Sequence, residues 1–133
     1  MHKIYGLARL TRDPEMRYTA NGIQVTTLNL AIDDGYYDRT SEEWVERTIW
    51  VRASLWREAA ERANERLHKG DMIFFEGTLA HENGNPRVWE GGDGEARANF
   101  EINLNTWRKC APGKNSQSTG LSDEELVEEE VDF

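Results

Sequence analysis

Residues 50–56 read Trp50-Val51-Arg52-Ala53-Ser54-Leu55-Trp56. The stretch alternates at period 2, the pattern of a β-strand whose side chains leave on two opposite faces. Val51, Ala53 and Leu55 supply one face, apolar and fit for a core. Trp50, Arg52, Ser54 and Trp56 supply the other. That second face offers two flat aromatic surfaces with a guanidinium and a hydroxyl between them, which suits a chain of bases linked by phosphates. A tryptophan in a strand is more often a core or oligomer-interface residue than a ligand platform. Here the odd positions already provide the core face and the arginine shares the tryptophan side, so the surrounding sequence has to decide.

Upstream, Ile4 to about Leu10 reads as a strand, followed by the turn Thr11-Arg12-Asp13-Pro14 and an extended piece around Met16-Arg17-Tyr18. Thr19-Ala20-Asn21-Gly22 is a hairpin turn, since Asn-Gly supplies the positive-φ positions such a turn needs. Ile23 to Ile32 alternates again, with Leu28, Leu30 and Ile32 on one face and Thr27, Asn29 and Ala31 on the other. A polar loop from Asp33 to about Glu43 leads into the tryptophan strand. Downstream, Ala59, Ala60, Ala63 and Leu67 recur at helical spacing, so residues 57–67 are expected to form a short amphipathic helix stopped near Gly70. Met72 to Leu79 alternates with Ile73, Phe75 and Leu79 as its core set, and Phe100, Ile102 and Leu104 do the same in a last strand. Between these strands lies the long loop 82–98, rich in Gly, Asn and charge, with Trp89 in it. A tryptophan in so polar a loop marks a contact surface, for a ligand or for a neighbouring subunit.

Three strands, a helix and two strands, with long polar loops after the second and fourth strands, is the order of a five-stranded OB-type barrel. The expected fold is therefore all-β: an OB-fold barrel with one short helix between strands 3 and 4. A length of 133 residues allows one domain of this size plus an extension. We expect the OB-fold domain over residues 1–110 and a flexible linker with an acidic tail over 111–133. Residues 111–120 are built mostly from Pro, Gly, Ser, Asn and Gln, a composition that buries too little apolar surface to order itself.

The chain carries 16 basic and 25 acidic residues, a net charge of −9 that counts superficially against a polyanionic ligand. The tail explains much of it: residues 1–110 hold 15 bases and 18 acids, a balance of only −3. Asp33, Asp34, Asp38, Glu42, Glu43 and Glu46 cluster in one loop, while Arg9, Arg12, Arg17, Arg52 and Arg57 lie in other segments. No apolar run approaches a membrane span, and Met1-His2-Lys3-Ile4-Tyr5-Gly6 lacks the features of a secretory signal, so a cytosolic protein is expected. Cys110 has no partner for an internal disulfide and is expected as an ordinary free thiol. The three histidines are scattered, and no metal-ligand spacing or glycine-rich phosphate loop occurs. Glu76 and Glu101 lie in strands without a partner motif, so no enzyme, metal or cofactor is expected.

Several short motifs in register resemble the bacterial single-stranded DNA-binding protein family. The most specific is Arg12-Asp13-Pro14-Glu15-Met16-Arg17-Tyr18-Thr19-Ala20-Asn21-Gly22, similar to that family's first hairpin. The tryptophan strand follows, then Ala60-Glu61, Leu67-His68-Lys69-Gly70-Asp71 and Glu76-Gly77-Thr78-Leu79, and the resemblance covers nearly everything from Ile4 to Trp107. It implies a subunit that assembles with copies of itself, usually as a tetramer. Such a subunit wraps single-stranded DNA without strict sequence preference in replication, recombination and repair, on the nucleoid. Trp50, Trp56 and Trp89 match positions where the family places base-stacking aromatics. Tyr36, adjacent to Tyr37, falls where many members have a tryptophan, and a tyrosine there is a smaller platform. The expected DNA-binding residues are Trp50, Trp56, Trp89, Tyr36, Arg52, Arg9, Arg12, Arg17 and Arg57. Trp44 and Trp107 are expected to pack in the barrel or in a subunit contact.

The chain ends Glu128-Glu129-Glu130-Val131-Asp132-Phe133, acids with two apolar side chains and a terminal carboxylate, suited to a pocket with an apolar floor and a basic rim. Acidic termini commonly serve only solubility. The resemblance implies more, a tip that docks replication, recombination and repair enzymes through Val131, Asp132 and Phe133. Asp132 stands where the family commonly has proline, which removes a backbone restraint and adds a charge. The alternative reading is an OB-fold protein-interaction module with weak or no DNA binding, favoured by the net charge.

Overall fold

The computed structural model describes residues 1–113. It contains β1 (Ile4–Leu10), β2 (Glu15–Tyr18), β3 (Gln24–Asp33), β4 (Tyr36–Asp38), β5 (Glu43–Val45) and β6 (Thr48–Trp56). The helix α1 (Arg57–Arg66) follows, then β7 (Met72–Leu79), β8 (Val88–Glu90), β9 (Ala96–Ala98) and β10 (Phe100–Ala111). From Lys114 onward, including the expected acidic tip at Val131, Asp132 and Phe133, the chain lies outside the described residues.

The alternation in β3 and β6 organises the barrel. The two strands pair antiparallel from Val25 opposite Trp56 to Asp33 opposite Thr48. That register puts Leu28, Leu30, Val51, Ala53 and Leu55 on one face, all buried. The main sheet runs β1-β7-β10-β6-β3-β2, and a further β1–β3 pairing, Arg9 opposite Ala31 and Leu10 opposite Leu30, closes five of those strands into a barrel with β2 outside. All its pairings are antiparallel except β10 with β6. Ile73, Phe75, Ile102, Leu104 and Trp107 fill the remaining core. Gly77 allows β7 to pass β10 at a bulge, since a Cβ there would stand 2.4 Å from the Asn103 carbonyl oxygen.

The helix closes one end. Ala60, Ala63 and Leu67 are buried, and the Thr26 hydroxyl donates to the Ala60 carbonyl at 2.7 Å. Asp71, wholly buried, accepts the His68 and Gly113 N–H groups and lies 3.4 Å from the Lys109 ammonium. These contacts tie the end of β10 to the turn after the helix, as burial of a carboxylate demands. Among the described residues no helix is long and apolar enough to cross a membrane. Cys110 is free and exposed.

Three expectations need correction. The helix lies between β6 and β7 rather than between strands 3 and 4, because residues 15–18 and the first polar loop contribute strands of their own. Both polar loops are two-stranded arms, β4–β5 and β8–β9, each paired only to itself. Leu79 and Phe100 share the parity of the core set yet are 51% and 70% exposed. β1 begins opposite Gly77 and Phe100 precedes the first β10–β7 pair, so each residue has a strand on one side only, Ile102 beside Leu79 and Val51 beside Phe100. Trp107 packs in the barrel as expected, and Trp44 stands outside it, exposed on the first arm.

Candidate nucleic-acid interface

The outer face of β6 is assembled from cross-strand rows, because residues paired across a ladder share a face. Arg17, Val25 and Trp56 form one row across β2, β3 and β6. Glu15, Thr27, Ser54 and Asn103 form the next, reaching β10. Asn29, Arg52 and Glu101 follow, and Arg9, Ala31 and Trp50 end the series. Trp50 is 64% exposed and Trp56 47%, with Arg52 and Ser54 half-buried between them. The division read from the alternation is therefore the observed one: Val51, Ala53 and Leu55 inside, the tryptophans outside.

Beside Trp50 the loop after β1 and the start of β10 enclose a cleft of about 330 Å³ lined by Thr11, Arg12, Asn29, Trp50, Arg52 and Asn99. Its charged lining is two guanidiniums, and its amides offer both donors and acceptors. Arg12, Arg17, Arg52 and Arg57 make no ion pair among the described residues, so their charge is available to an anionic ligand. Arg57 stands directly after Trp56, at the strand-to-helix corner, with φ of 59°. Arg9 behaves differently. Its backbone belongs to the Trp50 row, but its Nη1 donates to the Gly70 carbonyl at 2.5 Å, which draws the guanidinium toward the turn after the helix.

The two remaining aromatics predicted for the site stand on the arms. Trp89 on β8 is half-buried, and the Arg87 guanidinium lies 5.0 Å from its ring centroid. Arg87 Nη2 donates to Glu101 Oε1 at 2.6 Å and Nε to Oε2 at 3.3 Å. This two-point pairing holds the guanidinium charged further above its usual range. Since Glu101 is the ladder partner of Arg52, the foot of this arm rests in the middle of the outer face. Tyr36 on β4 has the Arg47 guanidinium 4.9 Å from its ring centroid, and Arg47 is paired with Asp34 at the base of the same arm. The other face of that arm carries the opposed pair Tyr37 and Trp44, both exposed.

Residues 1–110 match the profile of the single-strand binding protein family. The chain belongs to this family. Its members are DNA-binding proteins rather than enzymes. The chain is 34% identical over 125 residues to the single-stranded DNA-binding protein of Neisseria meningitidis, covering 94% of this chain and 68% of that protein. It is 32% identical over 122 residues to the one from Deinococcus radiodurans, covering 92% of this chain but only 38% of that longer protein. Among solved structures, a deletion mutant of the single-stranded DNA binding protein from Thermus aquaticus superposes with a TM-score of 0.63 at 29% identity, over 82% of this chain and 50% of that one. A Plasmodium falciparum protein of the family, solved in complex with single-stranded DNA, superposes with a TM-score of 0.65 at 24% identity, over 79% of this chain and 87% of that one, and shares the fold.

What sequence reasoning does not reach in this site is of one kind: groups whose part depends on a partner. Glu101 reads as a lone acid in the last strand. Arg87, two residues before Trp89, carried no signal until the fold set Glu101 beside it.

Proposed function

We propose that this protein binds single-stranded DNA without strict sequence preference, stacking bases on Trp50, Trp56 and Trp89 and holding phosphates with Arg12, Arg17, Arg52 and Arg57. The observation that carries the reading is the outer face of β6, where two exposed tryptophans flank a guanidinium with no ion-pair partner among the described residues. Stacking on such residues is worth roughly 1–3 kcal/mol per base. Arg9, bonded to Gly70, is left out of the phosphate set, and Tyr36, with Arg47 over its ring, contributes least.

In the same proposal, the protein assembles with copies of itself, as a tetramer, using the exposed Tyr5 and Leu7 of β1. It protects single strands during replication, recombination and repair in the cytosol and on the nucleoid. Residues 114–133 act as linker and acidic tip, the expected boundary at 111 moving because Ala111 ends β10 and Gly113 is bonded to Asp71, and Val131, Asp132 and Phe133 recruit partner enzymes.

Titrating the protein with an oligo-dT of about 16 nucleotides tests the central claim. Tryptophan emission should be strongly quenched, and the affinity should fall with salt at a log–log slope of only about −3 per subunit, from four guanidiniums at about 0.7 each. Absence of quenching at low salt would instead favour the protein-interaction module that the net charge allows. For the tail, deletion of residues 128–133 should abolish pull-down of DNA-processing enzymes while leaving oligo-dT binding intact; unchanged recovery removes that part of the proposal.

A further inference from the structure

Taking Trp89 as a base platform as proposed above, we infer that Arg87 and Glu101 form a latch that sets where Trp89 stands over the outer face. Arg87 thereby serves binding as a positioning residue rather than as a phosphate contact. The arm β8–β9 pairs only with itself and lies in a separate two-stranded sheet. Among the described residues, the hydrogen bonds and ion pairs of residues 81–98 close within the arm, with one exception. The exception is the Arg87–Glu101 pair. A hairpin of three-residue strands has little stability of its own. Beyond its two chain connections to β7 and β10, its orientation on the barrel therefore depends on that one polar link.

The geometry of the link fits the task. Glu101 is a barrel residue, 17% exposed, fixed by ladder pairing to β6. Arg87 meets it at two points, which restricts rotation as well as distance. The same guanidinium lies over the Trp89 ring, so position is passed from the barrel strand to the ring in two contacts. One ring face is covered in this way, and in the proposed function a base stacks on the other. The pair also neutralises the carboxylate that stands beside Arg52 in the row a phosphate would approach. An arm ordered before the ligand arrives loses less entropy on binding than one that must be ordered by the ligand.

Glu101→Gln separates this role from simple charge, because the two predict opposite signs. Removing a carboxylate from the DNA path strengthens binding if Glu101 acts only through its charge. It weakens binding, by about three- to tenfold, if Glu101 is the foot of the latch. Kd for the oligo-dT probe is measured for wild type, Glu101→Gln, Arg87→Ala and Trp89→Ala, and for each of the first two substitutions combined with Trp89→Ala. The expected result is weakening by Glu101→Gln and Arg87→Ala alone, and less than about twofold further weakening by either in the Trp89→Ala background. Unchanged or tighter binding by Glu101→Gln, or equal weakening with and without Trp89, overturns the latch. A second readout needs no DNA: acrylamide quenching of Trp89, taken as the difference between each protein and its Trp89→Phe partner, should rise when the latch is cut. Should wild type fail to bind oligo-dT, the proposed function falls, and the acrylamide measurement still judges the latch. Both latch residues lie outside the core, so thermal melting should be unchanged and serves as the folding control.

Discussion

On the β4–β5 arm the Arg47 guanidinium lies 4.9 Å from the Tyr36 ring centroid, and on the β8–β9 arm Arg87 lies 5.0 Å from that of Trp89. Each arginine is held by a carboxylate, Asp34 at 2.7 Å in the first case and Glu101 at 2.6 Å in the second. The difference is where the carboxylate belongs. Asp34 sits at the base of its own arm, so the first assembly closes on itself. Glu101 belongs to the barrel strand next to Arg52, so the second ties its arm to the outer face. Charge separates them further. Residues 33–47 hold six acids and two bases, against four acids and two bases over 82–98. The same arginine-over-aromatic contact thus stiffens one arm locally and fixes the other in relation to the proposed DNA path.

The largest effect that can break this comparison is loss of the aromatic itself. Trp89→Ala should weaken oligo-dT binding by roughly 1–3 kcal/mol, the value of one stacked base, whereas Tyr36→Ala should cost less than about 1 kcal/mol. Fluorescence titration at one fixed salt concentration compares the two directly. Equal losses would mean that the first arm reaches the DNA as effectively as the second.

Gly35 gives a subtler handle on the first arm. A Cβ at this position would stand 2.7 Å from Cζ2 of Trp44, so the ring lies directly over the glycine. Gly35→Ala should displace Trp44 from Tyr37, its cross-strand partner, at a cost on the scale of such pairs, about 0.2–1 kcal/mol. The red shift of Trp44 emission, taken against Trp44→Phe, reports the displacement. Oligo-dT affinity should change less than about twofold, since Trp44 and Tyr37 stand on the face of this arm opposite Tyr36. A larger loss would place Trp44 and Tyr37 on the DNA.

How far the two arms were legible in the sequence follows from the range of the interactions involved. The barrel strands and helix were readable because alternation and helical spacing are local, and the hairpin turn at Asn21-Gly22 shows the positive φ at Gly22 that its chemistry demands. The inward and outward sets of β6 were readable for the same reason. Leu79 and Phe100 were misplaced because alternation gives the face of a residue but not whether a neighbouring strand extends far enough to cover it. The arms read as loops because three-residue strands among charged residues give no periodic signal. Glu101 with Arg87, and Gly70 with Arg9, join residues 14 and 61 positions apart, and such pairings appear only once the ladders are set.

The smallest expected effect lies at the far end of the second arm. Asp93 accepts the Glu95 N–H at 3.1 Å and the Arg97 guanidinium at 2.7 Å. The Glu95 hydrogen bond, then that from Arg97, hold its carboxyl below the usual aspartate range. A carboxyl depressed in the folded state stabilises its surroundings fully above its unfolded pKa, about 3.9, and that contribution is lost as pH falls through the lower folded value. Acidification below about 3.9 should therefore loosen the turn 91–95, seen as a change in the Glu95 amide shift and faster exchange, while the barrel amides of Leu30 and Ile73 stay protected. Because Asp93 is exposed, the effect should be local and should shrink with added salt. Asp93→Asn should remove the titration of the Glu95 amide. At neutral pH the same substitution should leave acrylamide quenching of Trp89 unchanged, because the arm is held from its Arg87 end. A shift of Trp89 on loss of Asp93 would show that the turn, and not the latch, sets the platform.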